Sequence, residues 1–547
     1  MAGFLKYWHT IKHLKPIQII ERIRFRLVVP QIKLGQAPAF HLPDIEKWVS
    51  PISKKRTMLG PESFLFLNQV HELSEHGWDD PRIMKLWRYN LHYFDDLNAK
   101  DSNLRYSWHE SLIHRWIDEN PVGIGTGWEP YPTSLRIVNW IKWIISYGIP
   151  ASECIQSLAL QLRWLRKRIE YYLLGNHLLA NAKALIFGGL FFKGNEAKSW
   201  LETGLRILNH ELTEQILPDG GHFELSPMYH LIVLEDLLDL VNILKAYSYP
   251  VPDGWLDLIY KLVHWGSVMC HPDGDIPFFN DAAFNVAPTI RKLICYSNRL
   301  NLNISNHVHE NCWLKDSGYI RFAKKNCVLF FDVAPVGPDY LPGHAHADTL
   351  SIEFSLFGKR VLVNTGTSIY SSGLDRQYQR STNAHNTVMI DELDSSEVWG
   401  GFRVARRAKI LNLICNLDQS IASAEHDGYK RLIGKPRHWR KVELHDGLLK
   451  ISDRIQGKGT HKIQCAWHLH PQITIKPLKS KNCKAFQLDI PLEGKKCEVK
   501  IVTHPSSQIK IENYNWHPEF GMSEPAKRLV VKYEGRLPTT ITSNFYW

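Results

Sequence analysis

The sequence predicts an α+β chain in two parts, a helical N-terminal region followed by an antiparallel β region. Three observations carry this reading. Between residues about 60 and 310, apolar side chains recur at three- and four-residue steps, the period of amphipathic helices. From about residue 317 the period drops to two, with Gly, Pro, Asn and Asp between short runs, as in antiparallel sheets. At 547 residues the chain also exceeds the ~250 to 300 at which single cores stop growing.

The helical segments are "PTSLRIVNWIKWIISYG", "ECIQSLALQLRWLRKRIEYYLL", "NHLLANAKALIFGGLFF", "EAKSWLETGLRILNHELTEQIL", "YHLIVLEDLLDLVNILKAY" and "GWLDLIYKLVHWGSVM". Successive helix pairs joined at Pro or Gly fit a toroid or solenoid, with an irregular bundle as the alternative. Among the strands are "YIRFAKK", "CVLFFDVA", "LSIEFSLFG", "RVLVNTG", "KVELHDGLLKISDRI" and "TTITSNFYW", the texture of a sandwich. The expected boundaries are an arm at 1–40, a helical domain at 41–315 and a β domain at 316–547. A site between domains is the natural expectation.

Charge narrows the partner. The formal net charge is +11, with a pI near 9.0, which favours a polyanion. Residues 1 to 35 hold seven Lys or Arg against the single acid Glu21. Zinc-finger spacing and RNA-recognition signatures are lacking, which argues against nucleic acid. No run approaches the ~20 apolar residues of a membrane span, and the first residues do not read as a signal peptide. Nine scattered cysteines read as reduced thiols. These features predict a cytoplasmic protein. Phe4, Trp8, Ile11, Ile19, Ile20 and Ile23 in the basic arm add possible peripheral contact with an anionic membrane at its inner face, against packing of the arm on its own protein.

Four stretches concentrate polar groups. In "GNHLLAN", Asn176 and His177 open a helix, and Asn176 taken alone reads as an N-cap. In "PDGGHFELSPMYH", a turn is followed by His222, Glu224, Ser226, Tyr229 and His230, with Glu224 expected to orient its neighbours or cap the helix. In "GHAHADTLSIEF", His344 and His346 share a face if the strand has already begun, and with Asp348 they suit either a metal or proton transfer. The long connection "NTGTSIYSSGLDRQYQRSTNAHNTVMIDE" supplies Tyr370, Arg376, Tyr378, Arg380, His385 and Asn386, its arginines suited to carboxylate recognition.

Together with "PDGDIPFFND", and in this order along the chain, these motifs resemble the heparinase II/III-like polysaccharide lyases. The resemblance implies an incomplete (α/α) toroid joined to a C-terminal antiparallel β-sandwich, with a cleft between them. It also implies β-elimination at a uronic acid in an acidic polysaccharide. Such a reaction needs donors around the uronate carboxylate, a base for the C5 proton and an acid for the departing O4. By resemblance Asn176 and His177 are the donors and Tyr229 the catalytic tyrosine, with His344 or Tyr370 its partner. Trp128, His230, Arg376 and Arg380 are the substrate-binding candidates, and His230 or Arg380 the expected source of positive charge beside Tyr229. No cofactor is needed for the chemistry. His346 and His385 resemble a histidine pair that helps hold a structural zinc in some relatives, although Asn364 stands where those relatives place a carboxylate. A uronate C5-epimerase in envelope polysaccharide synthesis and a non-catalytic acidic-glycan binder are the alternatives.

Overall fold

The computed structural model describes residues 2–547 except 149, 306–307, 309–310 and 480–483. Its helical part includes Lys85–Tyr93, Tyr106–Glu119, Pro130–Tyr147, Ser152–Lys167, Gly175–Phe191, Gly194–Gln215, Pro227–Ala246, Trp255–Val268 and Ile290–Arg299. Each predicted helical segment forms, though the second stops at Lys167, short of "RIEYYLL". These helices bury Trp116, Trp140, Trp143, Leu185, Phe187, Leu234 and Leu238 in one core. The helices Gly175–Phe191 and Gly194–Gln215 approach so closely that a Cβ on Gly189 would lie 2.5 Å from the Leu201 backbone nitrogen. A small hairpin, Ser63–Phe66 with Gln69–Glu72, interrupts the helical part.

The β part is antiparallel throughout its described sheets. A five-stranded meander runs Cys312–Leu314, Tyr319–Lys324, Cys327–Asp332, Ile352–Leu356 and Lys359–Leu362. An eight-stranded sheet has Arg437–His445, Leu448–Gln456 and Thr539–Tyr546 at its middle, and a four-stranded sheet pairs Val388–Ile390, Thr460–His468, Glu524–Arg536 and Gln508–Trp516. Alternate residues of these sheets, among them Phe322, Phe331, Phe354, Val442, Ile451, Trp467 and Val531, close a second core.

Inside the β part, Asp453 accepts from Arg440 Nε at 2.7 Å and lies 2.6 Å from His438 Nε2. Burial pushes the Asp453 carboxyl up, but Arg440 and His438 more than offset it and hold it at about 2, against an ordinary 3.8. A depressed carboxyl stabilises the fold above its ordinary value, and that contribution is lost as pH falls through the folded value. The urea midpoint is therefore expected to fall as pH drops from 3.8 to about 2, and Asp453→Asn to flatten that slope.

Two connections matter for the site. Residues 333–351, between neighbouring strands of the meander, carry His344 and His346; residues 363–387 carry Tyr370, Arg376, Arg380 and His385. The strand after the histidines begins only at Ile352, so His344 and His346 do not share a strand face. From the helical side, residues 271–284 run across the seam as a strut. There the Asn280 side chain donates to the Leu225 carbonyl at 2.9 Å and accepts from the His346 backbone N–H at 3.0 Å.

Candidate active site

The helical side contributes two helix starts. Ser226 caps Pro227–Ala246, its hydroxyl accepting from the Tyr229 backbone N–H at 3.2 Å. This sets Tyr229 in the first turn, aimed across the seam. At the other start, Asn176 is not the cap: Leu174 holds that position with a φ of 66°, followed by Gly175 at 58°. Asn176 instead gives its backbone N–H to Glu224 Oε1 at 3.3 Å. Among the described residues nothing bonds its side-chain amide, which remains available. A Cβ on Gly175 would lie 2.5 Å from Glu224 Oε1 and 2.4 Å from Leu341 Cδ2. Gly175→Ala should therefore cost more than the ~1 to 2 kcal/mol of a left-handed alanine alone, read from urea unfolding.

His177 stands next to Asn176, with Nδ1 3.2 Å from Glu170 Oε1 and its ring 4.4 Å from that of Tyr131. Burial pulls its pKa down, but Glu170 together with Glu224 and Glu129 more than offsets it and the net shift is upward. The ring is thus biased toward the cation that a uronate carboxylate would meet.

Across the seam, the Tyr229 and Tyr370 hydroxyls lie 3.0 Å apart, and the Tyr229 ring stacks on His344 with centroids at 3.9 Å. Burial first, then their neighbours, hold both tyrosines well above the ordinary 10. Both are protonated at rest.

The organising residue is Asp281, fully enclosed on the strut. Arg376 binds both of its oxygens, with Nη2 to Oδ2 at 2.7 Å. His344 Nδ1 lies 2.9 Å from Oδ2, and His346 Nε2 2.9 Å from Oδ1. Burial alone would raise this carboxyl, but Arg376 and the two imidazoles hold it well below the ordinary range. An ionised Asp281 only accepts, so His344 carries its proton on Nδ1 and turns Nε2 outward. That nitrogen lies 3.4 Å from Glu224 Oε2. Burial raises the Glu224 carboxyl, and its Oε2 makes no hydrogen bond among the described residues.

The same reasoning fixes His346 and His385. His346 must donate from Nε2 to Asp281, and His385 from Nδ1 to the Ser381 carbonyl at 2.8 Å. Their remaining nitrogens face each other at 3.1 Å. Asn364, at the place of the third ligand, donates to the Phe278 carbonyl and accepts from the Asn386 N–H. Two imidazoles and an engaged carboxamide fall short of the three or four ligands of a zinc site, and the residues present do not fit one.

Asn176, His177, Tyr229, His344 and Tyr370 thus gather at the seam, while the four substrate-binding candidates are buried in supporting positions around or behind it. His230 is buried behind Tyr229: Nε2 donates to the Leu262 carbonyl, Nδ1 accepts from the His222 N–H, and burial lowers it to about 4. It supplies no positive charge. Trp128 is enclosed between Trp116 and Trp164, donating to the Asn120 carbonyl. Arg376 is spent on Asp281, with its guanidinium 4.9 Å from the Tyr370 ring centroid. Arg380 grips the Ala345 carbonyl at 2.8 and 3.1 Å, fixing the backbone between His344 and His346. Sequence reasoning missed Asp281, Glu170 and a row of rings, Tyr131, Tyr93 and Tyr89, leading away from His177. Asp281 closes the quoted "PDGDIPFFND", where two polar residues after an apolar run were the available signal.

Fold and site together define a toroid-and-sheet protein with a cluster of histidines and tyrosines at the seam. Residues 100–300 match the Heparinase II/III N-terminus family and residues 308–544 the Heparinase II/III-like, C-terminal family. The chain belongs to the heparinase II/III-like family. A heparin-sulfate lyase of Bacteroides stercoris is 29% identical over 250 residues, 41% of this chain and 37% of that protein. One from Pedobacter heparinus is 23% identical over 317 residues, 50% of this chain and 46% of that protein. The chain therefore spans less than half the length of these curated relatives. A heparinase III crystal structure superposes with a TM-score of 0.70 at 16% identity, covering 95% of this chain and 88% of that one, a likeness of fold.

Proposed function

We propose that the protein is a polysaccharide lyase, cleaving a uronate-containing acidic polysaccharide by β-elimination. The observation that carries this reading is the Asp281–His344 pair set against the Tyr229–Tyr370 hydroxyl pair. A buried ionised carboxylate fixes a histidine tautomer with a free acceptor nitrogen, stacked on a protonated tyrosine. Base and acid thus stand side by side.

In the proposed reaction the uronate carboxylate sits on the Asn176 amide and His177, which spread the charge that develops as C5 loses its proton. His344 Nε2 takes that proton, the C5–H electron pair forms the C4=C5 double bond, and the C4–O4 bond breaks. Tyr229 gives its proton to O4, and Tyr370 at 3.0 Å offers a route for restoring it. No cofactor enters. A groove of about 1270 Å3 on the helical part is basic, with Lys55, Arg56, Lys100, Arg291, Lys292 and Arg299 among its lining and Asp101 as its one acid, although none of the seam residues lines it.

The test is incubation in D2O with a panel of uronate glycans, read by unsaturated-uronate absorbance and by NMR at C5. New absorbance with chain shortening supports the lyase. An inverted, deuterated C5 in intact chains replaces it with an epimerase, and glycan binding without either signal replaces it with a binder.

A further inference from the structure

The helix Pro16–Leu27 is turned inside out relative to an ordinary surface helix. Ile20, Ile23 and Leu27, spaced three and four apart, point outward and are 62%, 55% and 78% exposed. Its inner face is Gln18, which donates to the Tyr340 carbonyl at 3.3 Å, and Phe25, which packs on Tyr172 and lies under the Arg168 guanidinium. The preceding helix, Ala2–Ile11, likewise exposes Phe4, Trp8 and Ile11. Such a contiguous apolar stripe on a folded surface calls for an occupant.

Charge identifies that occupant. On the helical wheel Arg22 and Arg26 flank one side of the stripe and Arg24 the other. Among the described residues no carboxylate pairs with Lys12, Arg22, Arg26 or Lys33. A second copy would bring two such cationic faces together. An acidic glycan would engage the cations and leave the isoleucines and Leu27 in water. A bilayer surface with anionic headgroups satisfies both sets. No helix among the described residues is long and apolar enough to cross a membrane.

We infer that residues 4–29 form a docking face for an anionic lipid surface, an inference that stands independently of the reaction proposed above. The arm is held rigidly enough to serve. Trp399 donates to the Thr10 hydroxyl at 3.2 Å, Lys15 pairs with Glu214, and Arg168 donates to the Phe25 carbonyl at 2.8 Å. These anchors belong to both parts of the chain, so binding would seat the whole molecule. They also adjoin the cleft: Leu341 follows Tyr340 beside Gly175, and Phe402, three residues after Trp399, lies 5.3 Å from the Tyr370 ring.

The experiment is flotation of the full chain with phosphatidylcholine vesicles, with and without phosphatidylglycerol, at low and high salt, alongside sedimentation for its mass. Binding to the anionic vesicles that weakens in salt, and falls at least about tenfold both in Ile20→Glu/Ile23→Glu and in Arg22→Glu/Arg26→Glu, is expected. Thermal melts should stay unchanged, because these side chains touch little. Absence of flotation overturns the inference, as does flotation indifferent to Ile20→Glu/Ile23→Glu. A dimer that those two substitutions dissociate, without vesicle affinity, assigns the face to a second copy. Glycan binding lost only in the arginine variant, again without flotation, assigns it to a polysaccharide.

Discussion

Tyr229→Phe is expected to lower turnover on a cleaved uronate glycan by about 10²- to 10⁴-fold, the range contributed by a positioned acid or base, while leaving glycan affinity close to wild type. The substitution keeps the ring that stacks on His344 at 3.9 Å and removes only the hydroxyl, 3.0 Å from Tyr370. The fold loses one hydrogen bond and the cleft keeps its shape. Initial rates of unsaturated-uronate formation, with calorimetric binding to the same glycan, separate the two effects. Unchanged rates would remove Tyr229 from the mechanism. A parallel loss of affinity would make it a binding residue instead.

Asp281→Ala carries the largest expected effect on stability. It leaves Arg376, itself fully enclosed, with its Gly401 carbonyl contact at 3.1 Å but without its carboxylate. Breaking a buried pair from one side costs about 3 to 5 kcal/mol, because the remaining charge is uncompensated. Urea denaturation of the single variant should show that loss. Adding Arg376→Met to Asp281→Ala should recover part of it, since the orphaned charge goes too. No recovery would mean that the cost lies in the His344 and His346 contacts, whose loss would also free the tautomer of His344.

The fold was legible because both periods run long: helices such as "YHLIVLEDLLDLVNILKAY" and strands such as "KVELHDGLLKISDRI" repeat their pattern over many turns or residues. The residues that gather at the seam were legible through motif order, since Asn176, His177, Tyr229, His344 and Tyr370 each stand in a quoted stretch. The supporting residues were not, for physical reasons. Asp281 does its work by meeting Arg376, 95 positions away, and no local spacing encodes that meeting. His230 looked functional beside Tyr229, yet one residue on a helix turns a side chain by about 100° and sends it into the core. Trp128 and Tyr131 differ by three positions, and only the structure shows that the tyrosine of the two packs against His177.

The Asp281 cluster also limits how a polymer enters. Its carboxylate, on the strut from the helical part, takes side chains from two separate connections of the β part, Arg376 from one and His344 and His346 from the other. Prising the two parts open at this point would strip an enclosed ion pair of its partners. The seam therefore behaves as a riveted joint, and on the proposed function a long chain is expected to feed in lengthwise past the seam residues rather than being clamped by a closing jaw.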